Sequence, residues 1–90
     1  MKRYLVIFEG RVQHVGFRAF AQHYALKYNC TGTIRNMANG MVEMKIQGEE
    51  EKIRFVLSQI KEGDRFIRVD EMHKKEIALQ PDEVRFDIVY

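Results

Sequence analysis

The chain of 90 residues contains a single cysteine, Cys30, and no apolar run that approaches the length of a membrane span. One cysteine excludes an internal disulfide and favours a reducing compartment, so we expect a cytoplasmic protein. The first residues, "MKRYLVIFEG", lack both the apolar core and the small-residue cleavage site of a signal peptide. We therefore expect neither a membrane anchor nor a membrane partner.

Carboxylates are missing from the whole segment between Gly10 and Val42. Four cationic residues lie in that segment: Arg11, Arg18, Lys27 and Arg35. The formal net charge of +2 gives no argument for nucleic acid, but this uneven distribution creates a local positive field suited to a small anion. Chance clustering on a solvated face is the alternative, and charge alone does not decide between them.

The usual ligand sets for metals are also missing. The three histidines, His14, His23 and His73, are scattered, and Cys30 has no partner at ligand spacing. We therefore expect no metal site and no cofactor. Ser58 is the only serine. It falls within a predicted helix and has no histidine near it in sequence, which argues against a serine nucleophile.

Two further classes of function find little support. Cys30 and Arg35 in "CTGTIR" superficially resemble a phosphatase cysteine and its arginine, but the spacing is one residue short and the segment is typical of a strand. We expect Cys30 to pack under the end of the first helix. An RNA-recognition sheet needs aromatic residues on its central strands, and "GMVEMKIQG" has none. Tyr4 and Phe8 are more simply core residues or residues that cover the sheet, so we expect no nucleic-acid partner.

The periodicity of apolar residues predicts a single domain over residues 1–90, in the order β-α-β-β-α-β plus a short C-terminal strand. Two helices must then cover one face of a mostly antiparallel sheet, which is the ferredoxin-like α/β sandwich of the α+β class. The first predicted elements are a strand over Lys2–Phe8 and a helix from about Phe17 that stops at Asn29. Strands over Thr31–Met37 and Met41–Gln47 follow, joined by the hairpin Ala38–Gly40. The remaining elements are a helix from about Glu49 to Lys61, a strand from Ile67 to about Lys75, and an alternating strand through Val84, Phe86, Ile88 and Tyr90.

The segment "VQHVGFR" lies at the junction of the first strand and the first helix. Backbone N–H groups in a turn and at a helix start can surround an anion. Gly16 would let the backbone approach a ligand closely, and Arg18 in the first helical turn can reach two phosphate oxygens. A plain strand-to-helix connection with a surface arginine explains the same spacing equally well.

Asn36 in "IRNMANG" is the second unusual residue, because asparagine is disfavoured in strands and the hairpin itself needs only Asn39 and Gly40. The Asn36 side chain could cap the hairpin locally, or its amide could hold a water or a substrate.

Together, "GRVQHVGFR" (Gly10–Arg18) and "TGTIRNMANGMVE" (Thr31–Glu43) resemble the acylphosphatase family, and the similarity continues through "QGEEEKIRFVLSQIKEG" to the ending "FDIVY". This resemblance implies metal-free and cofactor-free hydrolysis of an acyl phosphate to a carboxylate and inorganic phosphate.

The resemblance also implies roles for particular residues. Backbone N–H groups of the loop would bind the phosphate, Arg18 would pair with its oxygens, and Asn36 would orient the attacking water. The residues that the resemblance places in the phosphate loop are Gln13, His14, Val15, Gly16, Phe17 and Arg18. Phosphoryl transfer needs positioning and charge stabilisation more than covalent chemistry, which agrees with these residue types.

The sequence departs from the family pattern at His14, where a glycine is usual, and at Thr33, where a large aromatic is frequent. If the loop needs a positive φ at His14, the strain is about 1–2 kcal/mol. The imidazole could crowd the phosphate, assist its binding, or point to solvent and leave the backbone loop intact; we favour the last. The alternatives to the enzyme are a non-catalytic anion-binding module and, more distantly, a single-stranded RNA binder. Charged residues on the edge strand predict a monomer.

Overall fold

The computed structural model describes all 90 residues and contains five strands and two helices. In chain order these are β1 (Lys2–Arg11), α1 (Phe17–Lys27), β2 (Thr31–Asn36), β3 (Val42–Gly48), α2 (Glu50–Glu62), β4 (Arg68–Ile77) and β5 (Phe86–Ile88). Neither helix is both long enough and apolar enough to cross a bilayer.

The five strands form one sheet in the order β4-β1-β3-β2-β5. All neighbouring strands are antiparallel except β2 and β5, which run parallel over three residue pairs. The two helices pack against each other and against the sheet. This arrangement is the ferredoxin-like α+β sandwich, and the predicted fold class is confirmed.

The core lies between the sheet and the helices. On β1 the side chains of Tyr4, Val6 and Phe8 are buried, whereas the alternate positions Leu5 and Ile7 are only half-buried. The interpretation of Tyr4 and Phe8 as core residues is confirmed. The first helix buries Phe17, Ala21 and Ala25, and the second buries Ile53, Val56, Leu57 and Ile60.

The predicted ends of β2 and β3 are correct to within one residue, and the larger differences are in the other three strands. β1 continues past Phe8 to Arg11, because these residues still pair with β4. The register shifts between Glu9 and Gly10, and Gly10 lies against the backbone of Arg68 too closely for any side chain. The edge strand β4 extends to Ile77. The predicted last strand is shortened to Phe86–Ile88, since only this segment pairs with β2; Val84 and Tyr90 are 81% and 99% exposed.

A buried ion pair holds the segment between β4 and β5 against the face of the sheet that is opposite the helices. The Arg3 guanidinium, 5% exposed, donates to Glu83 Oε1 at 2.7 Å, and the Thr31 hydroxyl donates to the same oxygen at 2.7 Å. The Gln47 side chain bonds both the N–H and the C=O of Gln80. These bonds fix the path by which the chain reaches β5.

Candidate functional site

Strands β1 and β2 are both antiparallel to β3, so their carboxyl ends meet at the same edge of the sheet. The loop from β1 to α1 and the last residue of β2, Asn36, therefore lie close together. They share a cavity of about 230 Å³. Its lining consists of Val12, His14, Gly16, Phe17, Arg18, Ala19, Asn36, Ile88 and Tyr90.

The start of α1 forms one wall of this cavity. Gly16 is the N-cap residue, with φ 79° and ψ 17° in the left-handed region, and no side chain caps the helix. The first N–H groups of the helix consequently have no capping side chain as a partner. A methyl group added at Gly16 would meet nothing within 4 Å, so glycine is needed here for its backbone conformation and not for space.

Arg18 places a positive charge at the mouth of the cavity. It is half-buried, and no carboxylate lies within ion-pair distance of its guanidinium; instead, its Cζ lies 4.9 Å from the centre of the Tyr90 ring. No Asp or Glu lines the cavity. The first turn of α1 also contains no acidic residue, so this end of the sheet attracts an anion.

Asn36 closes the other side, and it pairs with Val42 of β3 at the end of the strand. Its Oδ1 atom is buried and has no hydrogen-bond partner. An unpaired buried acceptor costs about 1–3 kcal/mol, and such atoms are rare in native proteins. Local capping of the hairpin is therefore not the role of this oxygen; Asn39 Oδ1, which accepts from the Met41 N–H at 3.0 Å, fills that role.

Gln13 and Val15 do not line the cavity with their side chains. The Gln13 amide nitrogen donates to the carbonyl oxygens of Met37 and Met41, both at 2.8 Å, and Val15 packs against the core. Gln13 thus ties the loop to the β2–β3 hairpin. The sequence did not indicate this contact, because its partners are backbone atoms that any residue offers.

His14 adopts the left-handed conformation, with φ 63°. The φ angle is positive, so this histidine is in the backbone conformation that strains a residue with a side chain. His14 is exposed and also lines the cavity, so it lies at the rim; whether the loop binds phosphate with a histidine here stays a prediction.

Four further residues line the cavity that sequence reasoning missed. Val12 and Ala19 flank the predicted loop and helix start, and Ile88 and Tyr90 come from the C-terminal segment. The parallel pairing of β5 with β2 brings this last pair to the site. Their only signal in the sequence was the aromatic ending "FDIVY".

The other candidates from the sequence lie elsewhere. Cys30 is buried, and burial raises the pKa of its thiol to about 11. Arg35 pairs with Glu43 at 2.8 Å. A cysteine nucleophile assisted by this arginine is therefore incompatible with the structure. The three histidines are not brought together, but His73 lies beside two glutamates, Glu9 and Glu71.

Comparison with known proteins agrees with this geometry. The family model described as acylphosphatase matches residues 4–88. The chain belongs to the acylphosphatase family. Its acylphosphatase relatives include one from Geobacillus thermodenitrificans, 48% identical over 100% of this chain and 96% of the relative, and one from Geobacillus kaustophilus, 47% identical with the same coverage.

Among solved structures, the crystal structure of acylphosphatase from Bacillus subtilis is similar with a TM-score of 0.94. The two proteins are 36% identical, and the match covers 100% of both chains. Membership of the acylphosphatase family makes this chain an enzyme that hydrolyses the carboxyl-phosphate bond of acyl phosphates. The alternative of a non-catalytic module gains no support from these relatives.

Proposed function

We propose that this acylphosphatase carries out its hydrolysis without a metal ion, with Arg18 and the β1–α1 loop binding the phosphoryl group and Asn36 positioning the attacking water. The observation that carries the proposal is the buried, unpartnered Oδ1 atom of Asn36 in a cavity that also contains an arginine without a carboxylate partner. A water bound to Asn36 and an anion bound to Arg18 would supply the partners that these groups lack.

The phosphoryl group would occupy the space in front of Gly16. Backbone N–H groups from Gln13 to Arg18 would face its oxygens, and the Arg18 guanidinium would bind two of them. Because Gly16 leaves open space on its side of the cavity, the substrate can approach the backbone closely. The hydrogen bonds of Gln13 hold this loop at a fixed distance from Asn36.

The Asn36 Oδ1 atom would accept a hydrogen bond from the water and direct the water oxygen toward phosphorus. A bond forms between the water oxygen and phosphorus, and the bond between phosphorus and the acyl oxygen breaks. The carboxylate leaves with the bonding electrons, and one proton passes from the attacking water to solvent or to the phosphate product. A carboxylate is a good leaving group and needs no protonation, so positioning and charge stabilisation suffice.

Steady-state hydrolysis of benzoyl phosphate in the presence of EDTA tests these roles. We expect turnover by the unaltered protein, a loss of about 10²–10³ in kcat for Asn36→Ala, and for Arg18→Ala a rise in KM together with a fall in kcat. Arg54→Ala is the matched control, because Arg54 is an exposed arginine on α2 outside the cavity.

Several outcomes would contradict the proposal. Full turnover by a folded Asn36→Ala variant would remove the role of that residue. If activity were lost in EDTA and restored by a divalent cation, the reaction would require a metal ion. Phosphate binding without any turnover would instead indicate an anion-binding module.

We also infer that the chain works as a cytoplasmic monomer. The edge strand β4 carries charged side chains along most of its length, which opposes pairing with a second copy. The single cysteine is buried and reduced. Light scattering coupled to gel filtration measures the oligomeric state, and a dimer mass would overturn that part of the inference.

A further inference from the structure

A second group of chemically reactive side chains lies on the sheet, outside the cavity. Glu9 of β1 and Glu71 of β4 are directly opposite each other across the two strands, and His73 is two residues further along β4 on the same face. The His73 Nε2 atom lies 2.9 Å from Glu9 Oε2 and 3.4 Å from Glu71 Oε2. None of the three residues lines the cavity.

The charges of this group are not balanced by a lysine or arginine. Like charges directly opposite each other on neighbouring strands are destabilising, and no Lys or Arg nitrogen lies within 4 Å of either carboxylate. Other glutamates on the sheet do have such partners: Glu43 pairs with Arg35 and Glu76 pairs with Lys2. Among basic side chains, only His73 lies within 4 Å of the Glu9 and Glu71 carboxylates.

The separation of the three ligand atoms fits a common central ion. All three lie within 4.8 Å of one another. Two ligands held about 2.1 Å from one ion lie roughly 3.0–3.4 Å apart in octahedral or tetrahedral geometry, which is close to the two distances between His73 and the glutamates. The two strands are paired at these positions, and Gly10 next to Glu9 packs against the backbone of β4.

We propose that Glu9, Glu71 and His73 form a surface binding site for a divalent cation of the zinc class, separate from the hydrolytic site. One imidazole and two carboxylates suit Zn²⁺, Ni²⁺ or Co²⁺, with water in the remaining positions. Mg²⁺ and Ca²⁺ prefer oxygen ligands alone, so they bind this set more weakly. The bound cation would neutralise the two facing carboxylates and join β1 to the edge strand β4.

Calorimetric titration of the untagged, EDTA-stripped and desalted protein with ZnCl₂ near neutral pH tests the proposal. We expect one Zn²⁺ per chain, a rise in melting temperature on binding, and affinity reduced about tenfold or more in His73→Gln and in Glu71→Gln. His23→Gln is the matched control, because His23 is an exposed histidine on α1 without carboxylate neighbours, and it should bind Zn²⁺ like the unaltered protein.

The histidine ring signals in the NMR spectrum of the unaltered protein give a second readout that needs no variant to fold. Zn²⁺ should shift or broaden the His73 signals before those of His14 and His23. Unchanged Zn²⁺ affinity in a folded His73→Gln variant would overturn the proposal. So would the absence of binding at millimolar Zn²⁺, or a first effect at His14; hydrolysis in EDTA is independent of all three results.

Discussion

Two residues of the β1–α1 loop, separated by Val15, adopt left-handed backbone conformations with different side chains. Gly16, with φ 79°, has no Cβ and enters this conformation freely, whereas His14, with φ 63°, does so against a steric penalty. Both positions are open to solvent, so packing does not complicate the comparison. The loop therefore contains one relaxed and one strained residue.

We expect His14→Gly to raise the free energy of unfolding by about 0.5–1 kcal/mol and Gly16→Ala to lower it by about 1 kcal/mol, since each change alters the fit of the residue to a left-handed backbone. Urea unfolding monitored by circular dichroism measures both. Equal effects of the same sign in the two variants would show that backbone strain does not determine stability at this loop.

The Cys30 thiol links stability to pH. Burial raises its pKa from the ordinary value of 9.0 to about 11 in the folded chain. Between these values the unfolded thiol has lost its proton while the folded thiol retains it, so the unfolded state binds fewer protons and the free energy of unfolding falls as pH rises. The stabilising contribution is complete below the lower value and lost progressively above it.

Urea unfolding of the unaltered protein and of Cys30→Ala at a series of pH values checks this dependence. The stability difference between the two proteins should shift in favour of Cys30→Ala through the alkaline range, because only the unaltered protein has the thiol to ionise. Parallel curves through that range would contradict a raised pKa.

At the scale of elements, the proposed hydrolytic site combines two segments that are distant in sequence. The first turn of α1, directly after the β1–α1 loop, contains Arg18, and the β2–β3 hairpin follows Asn36. The two hydrogen bonds from Gln13 to the hairpin carbonyls connect these segments. A shift of about 1 Å between reacting groups can reduce rate a hundredfold, so we expect this connection to affect turnover as well as stability.

We expect Gln13→Met, which keeps the length of the side chain but removes its donors, to lower the free energy of unfolding by about 1–2 kcal/mol and kcat by about tenfold. Gln22→Met is the matched control: it removes one amide-to-carbonyl bond between α1 and Phe86 and should reduce stability while kcat stays within about twofold. Equal kcat in both variants would show that Gln13 has only a structural role.

The two helices were predictable from the sequence to within one or two residues, because their apolar stripes face a core and their ends carry glycine or asparagine. The last strand was not, since alternation from Val84 to Tyr90 says nothing about how far β2 extends as a partner. Similarly, Arg18 and Asn36 stood out by residue type, whereas the connection made by Gln13 depends on tertiary packing.

For the whole molecule, the buried contact between Arg3 and Glu83 joins the start of the chain to the segment before β5. Arg3 is one of only two buried polar or charged residues in the structure, and its partner is mostly buried as well. Removing one member of such a pair leaves an uncompensated charge and typically costs about 3–5 kcal/mol.

We expect Arg3→Met and Glu83→Gln each to lower the midpoint of urea unfolding clearly, and the double variant to lower it by less than the sum of the two. The coupling energy from this double-mutant cycle should be about 1–3 kcal/mol. Additive effects would show that the two residues stabilise the chain independently of each other.

Because the proposed site is assembled from segments that are distant in sequence, hydrolytic activity can be used to follow folding. Strand β3 contributes no residue to the cavity but lies between β1 and β2 in the sheet. Strand β5 contributes Ile88 to the cavity lining. A refolding chain that has formed only its local hairpin and helices has no complete site, because the pairings that assemble it are distant in sequence. Recovery of hydrolysis after dilution from denaturant would thus follow the closing of the sheet and lag behind the return of helical signal.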